Sequence, residues 1–289
     1  MTGNRTEEHS KGWDLIIRPK KGLLDIHLKD IWEYRDLLSL LVRRDIVTVY
    51  KQTLLGFFWF IIPPVLNALT YLVIFGVFAK VETGSSNTIL FFLGGVIAWG
   101  YFSDCINRTS GTFRANASVF GKVYFPRLIV PLASVISALI KFLVQLAFFL
   151  FVMSWFAFAG KLPDIQWSHL WLLPIVLLLM GLVGLAFGII ISALTTKYRD
   201  LSNIVPFAVQ FLMYVTPVVY PYTFFPEKVR WIFDVNPISP LIEIFRFIFL
   251  GSDRLEYMHL LYCGGFTIVV LFIGLILFHK TEQNFMDTV

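Results

Sequence analysis

The chain has 289 residues, of which 57% are hydrophobic and 15% charged, and its formal net charge is +5. Soluble domains carry about 25% charged residues, so this composition excludes an ordinary water-soluble globule; lipid must be the solvent for much of the surface. Ten of the 24 Lys and Arg residues lie between Arg5 and Lys51, and Arg108, Arg114, Lys122 and Arg127 share one short loop without an acid. Basic clusters beside apolar runs, with no basic–aromatic RNA module or zinc spacing, read as membrane flanks and exclude nucleic acid as a partner.

In chain order, Ile31, Tyr34, Leu38, Leu41 and Val42 recur at helical spacing, with Lys29, Glu33, Arg35, Arg43 and Arg44 between them. The pattern predicts an amphipathic helix on the cytoplasmic leaflet; packing of the same stripe on a protein partner would satisfy it equally. Residues 1–56 form a cytoplasmic N-terminal region on this reading, and 57–289 a membrane domain. A helix needs about 20 apolar residues to cross the hydrocarbon. Runs at Phe57–Ala79, Ile89–Ile106, Leu128–Ala159, Leu170–Leu194, Ile204–Tyr220 and His259–Phe278 predict six transmembrane helices. The fold class expected is therefore an all-α integral membrane protein.

Between the fifth and sixth runs, Pro217, Pro221, Pro226, Pro237 and Pro240 break the chain into pieces too short to cross. Two short re-entrant or external helices are expected there, around Glu227–Phe233 and Leu241–Leu250. Six crossings place the N-terminal region, the 107–127 loop, the Thr196–Asn203 loop and the C-terminal tail on one side, which holds most of the Lys and Arg at span ends. That side is cytoplasmic, with both termini inside.

Cys105 and Cys263 lie in apolar surroundings without a partner motif and read as small buried hydrophobes. Gly184 and Gly188, with Gly181 before them, predict a close helix contact, within the subunit or across a dimer. The chain has no G-x-x-x-x-G-K-[ST] loop, no H-E-x-x-H and no G-x-S-x-G, so no ATPase site or catalytic constellation is expected in it. Lys141 lies inside a span, with Asp104 near the inner end of another. Lys141 reads either as a cation lining a path for an anionic substrate or as a snorkelling side chain. Aromatics gather at Phe57–Phe60, Trp99–Phe102 and Tyr214–Tyr222. They suit an interfacial belt or a channel wall that packs on the apolar faces of sugars.

The loops then carry a resemblance. RRDIVTVYKQTLLGFFWFIIPP (43–64), FRANASVFGKVYFPRLIVPLASVISALI (113–140), TTKYRDLSNIVPFAVQFLMYVTPVVYP (195–221) and VNPISPLIEIFRFIFLG (235–251) resemble, in order, the ABC-2 type permeases of bacterial polysaccharide exporters. The resemblance implies a homodimer paired with two ATP-binding cassette subunits in the bacterial cytoplasmic (inner) membrane. ATP and Mg would bind the partner, and this chain would hold no cofactor. The substrate implied is an undecaprenyl-pyrophosphate-linked polysaccharide such as O antigen, capsule or teichoic acid.

By position, the resemblance makes Phe113, Arg114, Asn116, Val119, Phe120 and Lys122 candidates for ATPase coupling, with Tyr198, Arg199 and Asp200 as a second contact. Arg43, Arg44 and Lys51 stand where an anionic lipid anchor would enter. Channel-lining candidates are Phe58, Trp59, Trp99, Phe102, Lys141 and Tyr214, and external-gate candidates are Glu227, Asn236 and Pro237. The resemblance assigns no role to the residues before Lys29. A drug or small-lipid exporter of the same class is the nearest competing reading. A membrane-embedded glycosyl- or acyltransferase would need acidic or His residues at the membrane surface, and the loops offer no obvious set.

Overall fold

The computed structural model describes residues 28–288 apart from 52, 86, 124, 161–163 and 252–254, and gives only the backbone of 28–30 and 284–288. The described residues are helical throughout their regular structure, as an apolar chain must be where no water can satisfy N–H and C=O groups. Helices α1 (Leu28–Glu33) and α2 (Arg35–Tyr50) lead into a 3-10 turn, Gly56–Phe60. Next come α3 (Ile62–Tyr71, continuing as a π-helix over Leu72–Phe78), α4 (Thr88–Ser110) and two four-residue helices, α5 (Thr112–Ala115) and α6 (Ala117–Phe120). They are followed by α7 (Ile129–Phe158), α8 (Leu172–Lys197), α9 (Leu201–Val215), α10 (Glu227–Val235), α11 (Ile238–Leu250) and α12 (Tyr257–Thr288).

Among the described residues, four helices are long and apolar enough to cross a membrane: α4, α7, α8 and α12 as far as Gln283. Helices Ile62–Phe78 and α9 are apolar but shorter than the 18 residues that such a span requires here. Proline sets both limits. Pro63 and Pro64 sit at the start of α3, where a missing N–H costs nothing. Thr216, which precedes Pro217, is extended (φ −102°, ψ 143°) and stops α9, as the clash with a following proline ring demands. Gly251 ends α11 in the left-handed region at φ +62°, a conformation glycine adopts without a Cβ penalty.

Helix α4 lies at the centre. Of its apolar window 78% is buried, against 17% for the peripheral α12. It packs on α3, α7, α8, α9 and α11. The expected glycine contact is between α8 and α4 of one subunit. A Cβ at Gly184 would lie 2.5 Å from Cys105 Cβ, one at Gly181 would overlap the Tyr101 hydroxyl, and one at Gly188 would overlap that of Thr109. Both cysteines are free and buried, as their setting suggested. The amphipathic α2 does not rest its stripe on lipid alone. Leu41 is buried with Ile129, Val130 and Ala133 of α7, and Ile31, Tyr34, Leu38 and Val42 pack around that cluster.

Gly184→Leu forces α8 away from α4 and should abolish folded protein, read as lost monodisperse material in detergent and a Tm drop of about 10 °C or more in any remainder. Gly264→Ala meets nothing within 4 Å and should leave Tm within about 2 °C.

Candidate functional site

The face expected to be cytoplasmic is assembled from the α4–α7 loop and the α8–α9 turn. Gly111 ends α4, and the eight residues of α5 and α6 turn back under the bundle. Phe113 is 1% exposed and Phe120 5% exposed; both join the cluster with Phe125, Leu185 and Phe278. Phe113 stacks on Phe278 at 4.6 Å between centroids. These two rings therefore anchor the loop, which corrects their expected place among surface contacts: four-residue helices leave no period from which to tell an inward ring from an outward one.

Arg114, Val119 and Lys122 do project outward, as do Tyr198, Arg199 and Asp200 on the neighbouring turn. Arg114 Nη1 donates to Ser202 Oγ at 2.5 Å and so ties the two segments into one surface. Asn116, half-buried, donates from Nδ2 to the Thr112 carbonyl at 2.9 Å. Arg127 backs the loop, with its guanidinium 5.4 Å from the Phe120 ring centroid and Nη1 donating to the Glu282 carbonyl at 3.1 Å. Burial pushes the Arg127 pKa down, and the Glu282 charge opposes that shift.

Of the entry candidates, Arg43, Arg44 and Lys51 are all exposed. Arg43 lines an open groove of about 540 Å³ with Arg35, Ser39 and Tyr50. Arg44 instead faces a separate pocket of about 470 Å³ on another side of α2 and pairs with Asp45 at 2.9 Å.

Within the membrane, Lys141 Nζ of α7 contacts Asp104 Oδ2 of α4 at 2.7 Å, with the two side chains 28% and 27% exposed. The lysine is neutralised across the helix pair, not a lone cation reaching for the interface. One turn along α7, Gln145 Nε2 donates to the Phe60 carbonyl at 2.9 Å and fixes the turn that leads into α3. Phe58, Trp59 and Tyr214 are exposed, whereas Trp99 is 5% and Phe102 0% exposed inside the subunit core. A side chain without free surface cannot line a channel, so Trp99 and Phe102 drop out of that set. Their expected role rested on residue type, and α4 buries nearly every face around them.

At the other end, Asn236 accepts from the Ile238 N–H at 3.1 Å, capping α11, and donates to Thr216 Oγ1 at 2.8 Å. Pro237 is buried, with its carbonyl accepting from the Cys263 thiol at 3.1 Å; Glu227 is open to solvent, 3.8 Å from Arg230. Tyr222 donates to Asp234 at 2.9 Å, and burial reinforced by that carboxylate pushes its pKa up to about 12.

Arg246, absent from the sequence candidates, holds this end to the bundle. Arg246 of α11 is fully buried, donates from Nη2 to the Pro217 and Val218 carbonyls at 2.8 and 2.5 Å, and lies 3.8 Å from the Phe91 ring centroid. It thereby satisfies carbonyls left open where α9 stops. Gly95 makes room, since a Cβ there would stand 2.6 Å from Arg246 Nη2. Glu243, also buried, sits one turn earlier. The signal was present in ISPLIEIFRFIFL, where an acid and a base at i, i+3 interrupt an apolar helix.

This arrangement spans the stretch that matches a known family model: the ABC-2 type transporter, over residues 36–250. The chain belongs to the ABC-2 type transporter family. The matched stretch runs from α2 to the end of α11 and so contains the α4–α7 loop, the α8–α9 turn, the Lys141–Asp104 pair and the Arg246 contact. The chain is 31% identical to an O-antigen export system permease of Klebsiella pneumoniae over 256 residues, 87% of this chain and 94% of that protein. It is 26% identical to the corresponding permease of Myxococcus xanthus, covering 91% of this chain and 98% of that one. The polysialic acid transport protein KpsM of Escherichia coli matches at 26% over 85% and 93% of the two chains. An ABC-2 family chain with four helices of spanning length is a multi-pass membrane protein.

Asp104→Asn leaves Lys141 charged without its carboxylate and should cost about 1–3 kcal/mol, less than a fully buried pair because both groups are partly exposed. Adding Lys141→Met removes the stranded charge and should recover more than half of the lost Tm in detergent. A double variant less stable than the single one would show that the pair itself is what stabilises.

Proposed function

We propose that this chain is the channel-forming permease subunit of an ATP-driven exporter that moves a lipid-linked polysaccharide, O antigen first, across the bacterial inner membrane. The observation that carries this is similarity along nearly the whole chain to O-antigen export permeases, 31–32% identical over 87% of its length. The geometry fits that role. A polar glycan cannot cross hydrocarbon, so a continuous wall must be built, and α3 and α9 each leave one face without a partner in the subunit. Leu66, Leu69, Val73 and Val77 line up on the first, and Ile204, Phe207, Phe211 and Tyr214 on the second. Both helices pack on α4, and the Tyr71 hydroxyl donates to Met213 Sδ at 3.7 Å across them.

A second copy on this wall would complete a homodimer, with Phe58, Trp59 and Tyr214 offering rings to passing sugars. On this reading α3 and α9, extended by Gly56–Phe60 and by 216–220, would add two crossings to the four long helices, and both termini would lie in the cytoplasm. Energy would come from two partner ATPases, each docking on Arg114, Val119, Lys122 and Tyr198–Asp200, and ATP with Mg would bind there and not in this chain.

The purified chain alone should hydrolyse no ATP, while the complex with the adjacent-gene ATPase should do so and be stimulated by lipid-linked glycan. Arg114→Glu with Lys122→Glu should lower that activity and cellular export about tenfold at unchanged Tm. No complex with any ATPase, or export unchanged by the double reversal, would overturn the docking assignment.

A further inference from the structure

The pocket of about 470 Å³ faced by Arg44 has walls from four elements: Arg44, Asp45 and Thr48 of α2, Arg108 of α4, Asn116 at the α5–α6 junction, and Ser134 of α7. Its charge does not balance, since two guanidiniums face one carboxylate. Arg44 takes that carboxylate, with Nε and Nη2 of Arg44 at 3.1 and 2.9 Å from Asp45 Oδ1. Arg108 is half-buried and makes no hydrogen bond or ion pair among the described residues. A guanidinium presents five N–H donors in a plane suited to a two-oxygen anion, and leaving it partly desolvated without an acceptor is unfavourable.

The hydroxyls nearby are already committed as donors: Thr48 to the Asp45 carbonyl at 3.0 Å and Ser134 to the Val130 carbonyl at 3.2 Å. They keep lone pairs but offer no proton, so the arginines are the groups free to meet a ligand. The pocket lies at the last turn of α4, under a helix whose apolar stripe and basic residues suit the cytoplasmic leaflet, the level at which lipid phosphates stand.

We infer that this pocket binds the phosphoryl headgroup of a membrane-borne anion, bridging Arg108 and Arg44, and that its occupancy is read by the coupling loop. The second half follows from Asn116. It lines the pocket, while Arg114, two residues earlier, lies on the proposed ATPase face and donates to Ser202. A phosphoryl group seated there touches the coupling loop directly, so the headgroup that starts transport is positioned to signal to the ATPase. This second half rests on the permease reading above; the binding half does not.

The chemistry has two sources, an isoprenoid pyrophosphate that carries the glycan or the phosphate of an anionic phospholipid. The test uses the chain with its ATPase in phosphatidylcholine nanodiscs, with farnesyl pyrophosphate as the probe and direct binding and ATPase rate as readouts. Arg108→Gln should weaken binding about tenfold, the scale of one lost charge-assisted contact, and remove stimulation of the ATPase. Arg35→Gln makes the same charge change on α2 but in the other groove and should bind within about twofold of the native chain. Competition by phosphatidylglycerol assigns the site to lipid phosphate in general; absence of competition assigns it to the pyrophosphate. Binding unchanged in a folded Arg108→Gln protein overturns the inference, even where export by the native complex proceeds. Binding lost without any effect on ATPase rate overturns the coupling half alone.

Discussion

Everything in this subunit depends on how near α8 comes to α4. In lipid, helix surfaces gain little from leaving an apolar solvent for an apolar neighbour, so association rests on close van der Waals contact. Gly181, Gly184 and Gly188 bring the backbone of α8 against Tyr101, Cys105 and Thr109. That approach buries α4 on nearly all sides and makes it the post on which α3, α7, α9 and α11 lean. Each candidate site is then a consequence of where α4 points. Its C-terminal end delivers the α5–α6 loop, the turn before that presents Asp104 to Lys141, and its N-terminal half offers Phe91 and Gly95 to Arg246.

The two polar contacts inside the bundle differ in kind. Arg246 is wholly enclosed and neutralises carbonyl dipoles at a helix end that proline has cut short. Removing it would leave those carbonyls buried without donors, the costly side of hydrogen bonding. Lys141 and Asp104 keep about a quarter of their surface open, in a layer where lipid excludes unpaired charge. Opposite charges on adjacent helices let that layer be wet without being charged. The first contact fastens α11 to the bundle. The second lies on the side from which Gln145 holds the start of α3, the helix whose outer face forms the proposed channel wall.

The legibility of this fold from sequence followed the solvent. Apolar runs in lipid have only helix available to them, so the element order and the proline-broken outer segment were readable residue by residue. Helix lengths were not, because Pro63 and the extended Thr216 trimmed two runs that hydropathy alone made continuous. Direction was the harder matter. Phe113 and Phe120 share their loop with Arg114 and Lys122, and only the tertiary cluster around Phe278 shows which pair turns inward. Trp99 and Phe102 were likewise indistinguishable in type from Phe58 and Trp59, and a central helix buried the former while a peripheral turn exposed the latter. Glu243 and Arg246 were the opposite case: a charge pair inside an apolar helix is a strong signal, and the shortness of that helix drew attention from it.

Reading the charges by what they touch also separates roles that basicity alone merges. Arg43, Arg44 and Lys51 stand close in sequence ahead of the first apolar run, yet Arg43 and Arg44 open onto different cavities. One groove is built from α2 and a single residue of α7; the other joins α2 to α4, to the α5–α6 junction and to α7. A ligand in the first touches α2 and one residue of α7, whereas a ligand in the second also touches α4 and the loop that carries Arg114, part of the proposed docking surface. Coupling between transport and hydrolysis requires that a bound substrate interact differently with two states of the protein. Of the two cavities, the second is the one whose wall reaches the proposed docking loop.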